Sequence, residues 1–346
     1  MKKRVLLGIS GGVDSSVSAL LLKKTGYEVI GITMKLIENI EDDVDTKKIC
    51  DILEIEHHTV DLSKEFKKCV IQDFINSYAD CKTPNPCIEC NKCFKFGEMF
   101  KLAEKYNCDY IATGHYAKIE YNEKYNKYVL KKSESENKDQ SYVLYAINKN
   151  NLNKILFPLS EFKTKDEIRK IALENNLPVH NKPDSEDICF IPDGDYKKFL
   201  INNSEIKEEI GNIVDCKNNI LGKHKGIFNY TIGQRRGLGI AYKEPLFVLG
   251  FNKEKNEVIV GTEKELYKNE VYVSNLNILL DEEFNEDNKV IVKLRYTNKE
   301  AEGIIKIIDE NNIKIIFENP QRGITPGQSA VIYKDDIVIG GGKIIK

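Results

Sequence analysis

The chain has 346 residues, 41% hydrophobic and 31% charged, the balance of a globular protein with room for two or three domains. Its formal net charge of −2 excludes a nucleic-acid partner held by a global positive field, so such a partner would need local basic patches. Nine cysteines, an odd number scattered through the chain, and no apolar run long enough for a bilayer argue against a disulfide framework or a membrane partner and for a reducing, cytoplasmic setting.

The opening "MKKRVLLGISGGVDSS" has the basic start of a signal peptide, but its apolar stretch breaks at Gly11-Gly12 and meets Asp14, which predicts a buried first strand over Arg4–Ser10 instead. A helix over Ser15–Gly26 follows, then a strand over Glu28–Met34, a helix in "DDVDTKKICDILEI" and a strand in "HHTVDL". "KFGEMFKLAEKYNC" is helical, "DYIATGHYA" is a strand, and "TKDEIRKIALENN" (Thr164–Asn176) is a helix opened by a threonine cap. Strand–helix alternation of this kind predicts an α/β domain with a doubly wound parallel sheet covered by helices on both faces. After about Phe199 the texture changes to short β-branched runs separated by Gly, Asn and Asp, such as "PLFVLGF", "VIVKLRY" and "IKIIFE". These predict two small β-rich domains, so the expected division is 1–199, 200–268 and 269–346, the last barrel-like.

The sharpest local signal is "GISGGVDSS", in which Gly8, Ile9, Ser10, Gly11, Gly12, Val13, Asp14 and Ser15 lead from a strand into a helix. Glycines let the backbone turn tightly, and free N–H groups, serine hydroxyls and the positive helix end then face an anion. The lysine of a Walker loop is missing and the G-x-G-x-x-G spacing is not met. The segment resembles the pyrophosphate-binding PP-loop of enzymes that split ATP between its α and β phosphates, which implies ATP as cosubstrate and Asp14 as a partner of Mg²⁺ or the pyrophosphate. Such a loop names an activation step and leaves the substrate open.

"TPNPCIECNKCFKFG" places Cys87, Cys90 and Cys93 at equal spacing. Together with "ATGHYAKI", "KDQSYVLY", "SEDICFI", "YTIGQRRGLGI" and "PQRGITPGQSAVIY", it closely resembles, in order and over essentially the whole chain, the tRNA-specific 2-thiouridylase family. The resemblance implies transfer of sulfur to the wobble uridine of tRNA: the C2 oxygen is adenylated, and a persulfide sulfur then displaces AMP. By matching positions, Cys90 is the catalytic thiol and Cys189 carries the persulfide, supplied by a separate sulfur-donor protein. Met34 and Gly114 are expected at the nucleotide, and Asn85, Pro86, Cys87, His115, Lys138, Asp139, Gln140, Arg295, Tyr296 and Gln328 at the tRNA. Neither a membrane nor DNA is an expected partner. Arg235 and Arg236, in a Gly-flanked turn, are further candidates for the phosphate backbone.

Cys87 stands where many members of the family have Asp, which puts the base-contacting role of that position in doubt. The spacing keeps open a second arrangement in which Cys87, Cys90 and Cys189 ligate an iron–sulfur cluster that holds sulfide. A structural zinc would want a second close pair, which the sequence does not show, and Cys81 and Cys93 are no more than candidates, while Cys50, Cys69, Cys108 and Cys216 read as core or incidental. Two other classes stay in view: a non-catalytic RNA-binding protein with a cysteine-bound metal, and a PP-loop ligase acting on a small metabolite. The loop speaks against the first, and the two well-placed cysteines and the β-rich half against the second.

Overall fold

The computed structural model describes residues 2–38, 44–135, 138–183 and 188–346. Parts of two sequence readings, Asp42 and Asp43 of the second helix and Ser185 to Asp187 of "SEDICFI", lie outside the described residues. The N-terminal part holds five parallel strands, β1 (Arg4–Gly8), β2 (Glu28–Lys35), β3 (Glu56–Asp61), β4 (Tyr110–Ala112) and, further along the chain, Ile155–Leu156, in the order β3-β2-β1-β4 with the last strand outermost. The expected α/β class is observed. β1 is apolar at every central position because it is covered on both faces: Leu6 enters one hydrophobic cluster, while Val5 and Leu7, pointing the other way, enter a second.

Helix α1 (Val13–Lys24) packs on the Val5/Leu7 face. Two longer helical runs follow α2 (Val44–Leu53): α3, over 63–79, and α4, over 86–105. Each has a π-wound interior, Lys67–Ile71 in α3 and Asn91–Glu98 in α4. Gly97 suits that winding, since a Cβ there would lie 2.9 Å from the carbonyl oxygen of Lys92. Helix α5 (Lys165–Glu174) begins at Thr164, whose hydroxyl accepts from the Glu167 amide at 3.4 Å, as the cap signal predicts. α6 (Tyr196–Asn203) closes this part.

The strand expected over "DYIATGHYA" is shorter than predicted. It ends at Ala112, and Thr113–Tyr116 turns across the sheet's carboxyl edge. A hairpin absent from the sequence reading, β5 (Lys118–Asn122) and β6 (Lys127–Lys131), leaves the parallel sheet and joins the C-terminal sheet through Lys131 opposite Ile337.

With the edge strand Ile155–Leu156 as β7, the next four strands are β8 (Gly211–Val214), β9 (Ile220–His224), β10 (Phe247–Asn252) and β11 (Glu257–Gly261), which form a mixed sheet in the order β10-β11-β8-β9. The remaining six are β12 (Tyr267–Ile278), β13 (Lys289–Lys293), β14 (Ala301–Ile307), β15 (Asn312–Arg322), β16 (Ser329–Lys334) and β17 (Ile337–Ile344). They pair antiparallel in the order β12-β15-β14-β13-β16-β17, and β17 returns to β12, so the sheet closes into a barrel and leaves those strands no free edge. Val331, Tyr333 and Val338 of the barrel share a core cluster with Tyr142, Leu144 and Tyr145, and the Tyr142 hydroxyl donates to the Ser329 carbonyl at 2.9 Å. Among the described residues no helix is long and apolar enough to cross a membrane.

Candidate active site

Strand order reverses at β1: the chain runs from β1 to β2 and β3 on one side, then returns to place β4 on the other. The crevice beyond the carboxyl ends of β1 and β4 is where open parallel sheets bind ligands. Ile9 to Gly12 leave the end of β1 there, and Thr113 to Tyr116 leave the end of β4. Gly11 has φ +67°, a left-handed conformation that a side chain would strain, and Gly12 is the extended residue before α1. The loop is tied within itself, since the Ser10 amide donates to Ser15 Oγ at 3.2 Å and Ser16 Oγ donates to the Gly12 carbonyl at 2.7 Å. A glycine N-cap brings no side chain to the first amides of α1, so the helix start keeps its partial positive charge for an anion.

Gly114 closes the crevice by contact. A Cβ there would lie 3.0 Å from the Asp14 carbonyl carbon and the Ser15 amide nitrogen, so backbone meets backbone. Asp14 accepts from the Tyr116 hydroxyl at 2.7 Å and pairs with Lys165 Nζ at 2.5 Å. Lys182 Nζ donates to the Gly11 carbonyl at 3.0 Å and pairs with Asp45 at 3.2 Å. Sequence reasoning missed Tyr116, Lys165 and Lys182. The lysines stand more than a hundred residues from the loop, and no contiguous pattern links them to it. Met34, the last residue but one of β2, is half-buried at the border of two core clusters.

The thiols gather at the start of α4. Asn85 caps it, accepting from the Cys87 amide at 3.2 Å, and Pro86 occupies the first turn, where its missing N–H costs nothing. The barrel holds the approach: the Thr83 amide donates to the Pro326 carbonyl at 2.9 Å, and Gln328 Nε2 donates to the Thr83 carbonyl at 2.8 Å. Lys343 of the barrel pairs with Glu89 on α4 at 2.9 Å and with Asp73 on α3 at 3.5 Å. Cys90 is only 8% exposed, in a cluster with Phe66, Phe74, Phe94 and Phe190. Phe190 packs edge-on against Phe74 at 5.3 Å and against Phe66 at 5.9 Å, which anchors the neighbouring, exposed Cys189 to the same cluster. Cys87 is exposed as well.

Charge effects show how close these groups are. Burial pushes the Cys90 thiol up to about 11; Lys95 pulls it back, and charge on Cys189 or Cys87 pushes it further up. Although both residues reach the surface, partial desolvation by the protein around their thiols likewise raises Cys189, with Cys87 adding to the rise and Lys95 opposing it, and raises Cys87, again opposed by Lys95. Lys95 also helps burial hold His115 well below the usual imidazole range. The His115 ring is buried between Phe96 and Phe157, its Nδ1 2.7 Å from Thr113 Oγ1. One ammonium therefore acts on all three thiols and on the turn that touches the phosphate loop. Lys95 lies within the quoted cysteine segment yet carried no signal of its own.

Cys69 and Cys93, read from sequence as incidental and as a stray metal candidate, form a disulfide between the π-wound turns of α3 and α4. One such bond is no disulfide framework, and the other cysteines of the chain are free. The two stand 24 residues apart on separate helices, a spacing that carries no pairing signal. Among the described residues no group of three or more His, Cys, Asp or Glu side chains is drawn together closely enough to hold a metal ion, so Cys87, Cys90 and Cys189 as placed do not form a cluster ligand set.

Three family models cover this chain: the tRNA methyl transferase HUP domain over residues 3–193, the tRNA methyl transferase PRC-barrel domain over 197–262 and the aminomethyltransferase beta-barrel domain over 268–344. The tRNA-specific 2-thiouridylase MnmA of Clostridioides difficile (strain 630) is 45% identical to it, with 100% of this chain and 99% of the relative covered. The chain belongs to the tRNA-specific 2-thiouridylase family. Enzymes of the same name from Clostridium botulinum (strain Alaska E43 / Type E3) and Caldicellulosiruptor saccharolyticus are 46% and 45% identical, over 99% and 100% of this chain and 98% and 99% of their own lengths.

The positions matched to a 2-thiouridylase's tRNA contacts fall into two groups in this structure. Cys87 and Tyr296 reach the surface, as do the separate candidates Arg235 and Arg236, and Tyr296 lies within charge range of Cys87 and Asp139. The others engage protein groups. Asp139 accepts from the Ser133 amide at 3.0 Å and from Ser141 Oγ at 2.7 Å, and Gln140 Oε1 accepts from the Tyr116 amide at 3.0 Å. Lys138 beside them is half-buried. Arg295 donates to the carbonyls of Ile232 and Gly323 at 3.2 and 3.1 Å and to Thr325 Oγ1, joining the middle sheet's loops to the barrel beside a cavity of about 300 Å³.

Proposed function

We propose that this chain is a cytoplasmic ATP-dependent enzyme that replaces the C2 oxygen of the wobble uridine in tRNA with sulfur. The observation that carries the reading is the Thr113–Tyr116 turn. Gly114 packs on the phosphate loop, Tyr116 donates to Asp14, and His115 sits in the field of the same Lys95 that acts on Cys87, Cys90 and Cys189. The loop that leads into α1 and the three thiols are thus both linked to the one Thr113–Tyr116 turn, the first by contact and the second through Lys95. Activation by ATP followed by sulfur transfer needs both. The matched models carry a methyl-transfer description, but methyl transfer from a sulfonium donor needs neither an uncapped helix start nor facing thiols.

In this reading the uridine C2 oxygen attacks the α-phosphorus of ATP, and pyrophosphate leaves toward the first amides of α1, with Lys165 and Lys182 beside them. Asp14 is the carboxylate that would share Mg²⁺ with the phosphates, since that ion is commonly held by one or two carboxylates plus phosphate oxygens. Cys189, exposed, accepts sulfur from a donor protein as a persulfide. Its outer sulfur attacks C2 and expels AMP, and Cys90 then takes the inner sulfur by thiol–disulfide exchange, releasing 2-thiouridine. Arg235, Arg236 and Tyr296 face the RNA.

Thiolation of unmodified tRNA by metal-analysed, chelator-treated protein, with Mg·ATP and a persulfide donor, tests this directly. The reading predicts 2-thiouridine by mass spectrometry, in step with AMP. Product only after an iron–sulfur cluster is rebuilt anaerobically would replace the Cys90–Cys189 persulfide route with a cluster held by Cys87, Cys90 and Cys189.

A further inference from the structure

Sulfur transfer by two thiols has a chemical remainder. When Cys90 takes the inner sulfur of Cys189, the pair is left as a disulfide, two electrons short of the starting state. The Cys90 sulfur of that disulfide would lie in the aromatic cluster, shielded from an external reductant.

The structure holds a second pair of cysteines in the same cluster. Cys93 follows Cys90 on α4, and the turn Pro86–Cys90 packs against Lys67–Ile71, which carries Cys69. Both Cys69 and Cys93 are half-buried, at the rim of the cluster and more open than Cys90. Both also lie in π-wound turns, a helical irregularity that recurs at functional sites. The pair is joined here as a disulfide.

We propose that Cys69 and Cys93 are a dithiol relay that restores the thiols of Cys90 and Cys189 after each sulfur transfer. This rests on the persulfide reading above. The Cys93 thiolate attacks the Cys90 sulfur of the Cys90–Cys189 disulfide, and the Cys189 thiolate leaves, taking a proton. Cys69 then attacks the Cys93 sulfur of the mixed disulfide, and the Cys90 thiol is released. Two thiols are oxidised to the Cys69–Cys93 disulfide while one disulfide is reduced to two thiols, so electrons and protons balance. An external dithiol, small or proteinaceous, reopens Cys69–Cys93 at the rim and completes the cycle.

The test starts from fully reduced wild-type enzyme loaded with one persulfide on Cys189 and given ATP and excess unmodified tRNA without reductant. After acid quench and thiol alkylation, peptide mapping reads which cysteines are joined. The relay predicts Cys69–Cys93 appearing in step with 2-thiouridine. In Cys69→Ser the second exchange cannot occur, so the Cys90–Cys93 mixed disulfide accumulates, and with dithiothreitol supplied the later turnovers slow severalfold relative to the first. A wild type that finishes its turnover with Cys90–Cys189 joined and Cys69 and Cys93 still thiols would overturn the relay, as would C69S turning over like wild type with no mixed disulfide. The wild-type mapping needs no variant to fold. If the first wild-type turnover yields no 2-thiouridine at all, the underlying persulfide reading falls and the relay with it.

Discussion

The two ends of the crevice are built in different ways. At the phosphate end, strand, turn and helix follow one another within Arg4–Lys24, and the recognition chemistry is mostly backbone: two glycines, the first amides of a twelve-residue helix, and hydroxyls already tied to the loop. At the thiol end, Cys87 and Cys90 come from α4, Cys189 from a segment before α6 and Lys95 from a π-wound turn, and the whole is braced by Gln328 and Lys343 from the barrel. The first is local; the second is assembled from distant pieces and includes two exposed cysteines. In the proposed reading, a site that binds a nucleotide can be preformed, whereas one that takes sulfur from another protein has to leave a thiol within reach.

The largest expected effects separate the two ends. Cys189→Ser should take thiolation to background while tRNA-dependent AMP formation persists, read by nucleotide chromatography; a C189S enzyme that still thiolates would remove Cys189 as sulfur carrier. Asp14→Asn should instead lower AMP formation, and thiolation with it, by about 10²-fold through loss of the Lys165 pairing and of charge at the loop, with tRNA affinity intact.

A smaller effect sharpens the electrostatic side. Lys95 opposes the burial that holds Cys90 near 11, so Lys95→Met should raise the Cys90 pKa further. Below that pKa the thiolate fraction falls as the pKa rises, so the variant should be about tenfold slower near pH 7.5 and recover as pH increases. A pH–rate profile unmoved by K95M would detach Lys95 from the thiols. The smallest effects are in stability. Gly114→Ala forces a Cβ to 3.0 Å from the backbone of Asp14 and Ser15 and should cost about 1–3 kcal/mol in denaturant unfolding. Gln328→Ala removes the bond to Thr83 and should cost about 1 kcal/mol.

The same contrast explains what could be read in advance. The glycine-rich loop was legible because its turn and helix start are made by consecutive residues, and the parallel sheet because strands buried on both faces show as unbroken apolar runs, as in "RVLLG". The β-rich half declared itself through short β-branched strands and turn residues. The hairpin β5–β6 was missed because its strands are short and polar and their partner, β17, lies some two hundred residues on. Lys165, Lys182 and Tyr116 were invisible at the phosphate loop because only the tertiary fold brings them there. The Cys69–Cys93 bond was missed because π-wound turns leave no periodic signature that would place those two sulfurs side by side.

The most direct test of the central claim, activation of the base by ATP before sulfur enters, follows one oxygen atom. An anticodon stem-loop carrying ¹⁸O at C2 of the wobble uridine, turned over once with Mg·ATP and persulfide-loaded enzyme, should yield AMP with the label on its phosphate and 2-thiouridine without it. Unlabelled AMP beside 2-thiouridine, or thiolation with no AMP at all, would contradict the account.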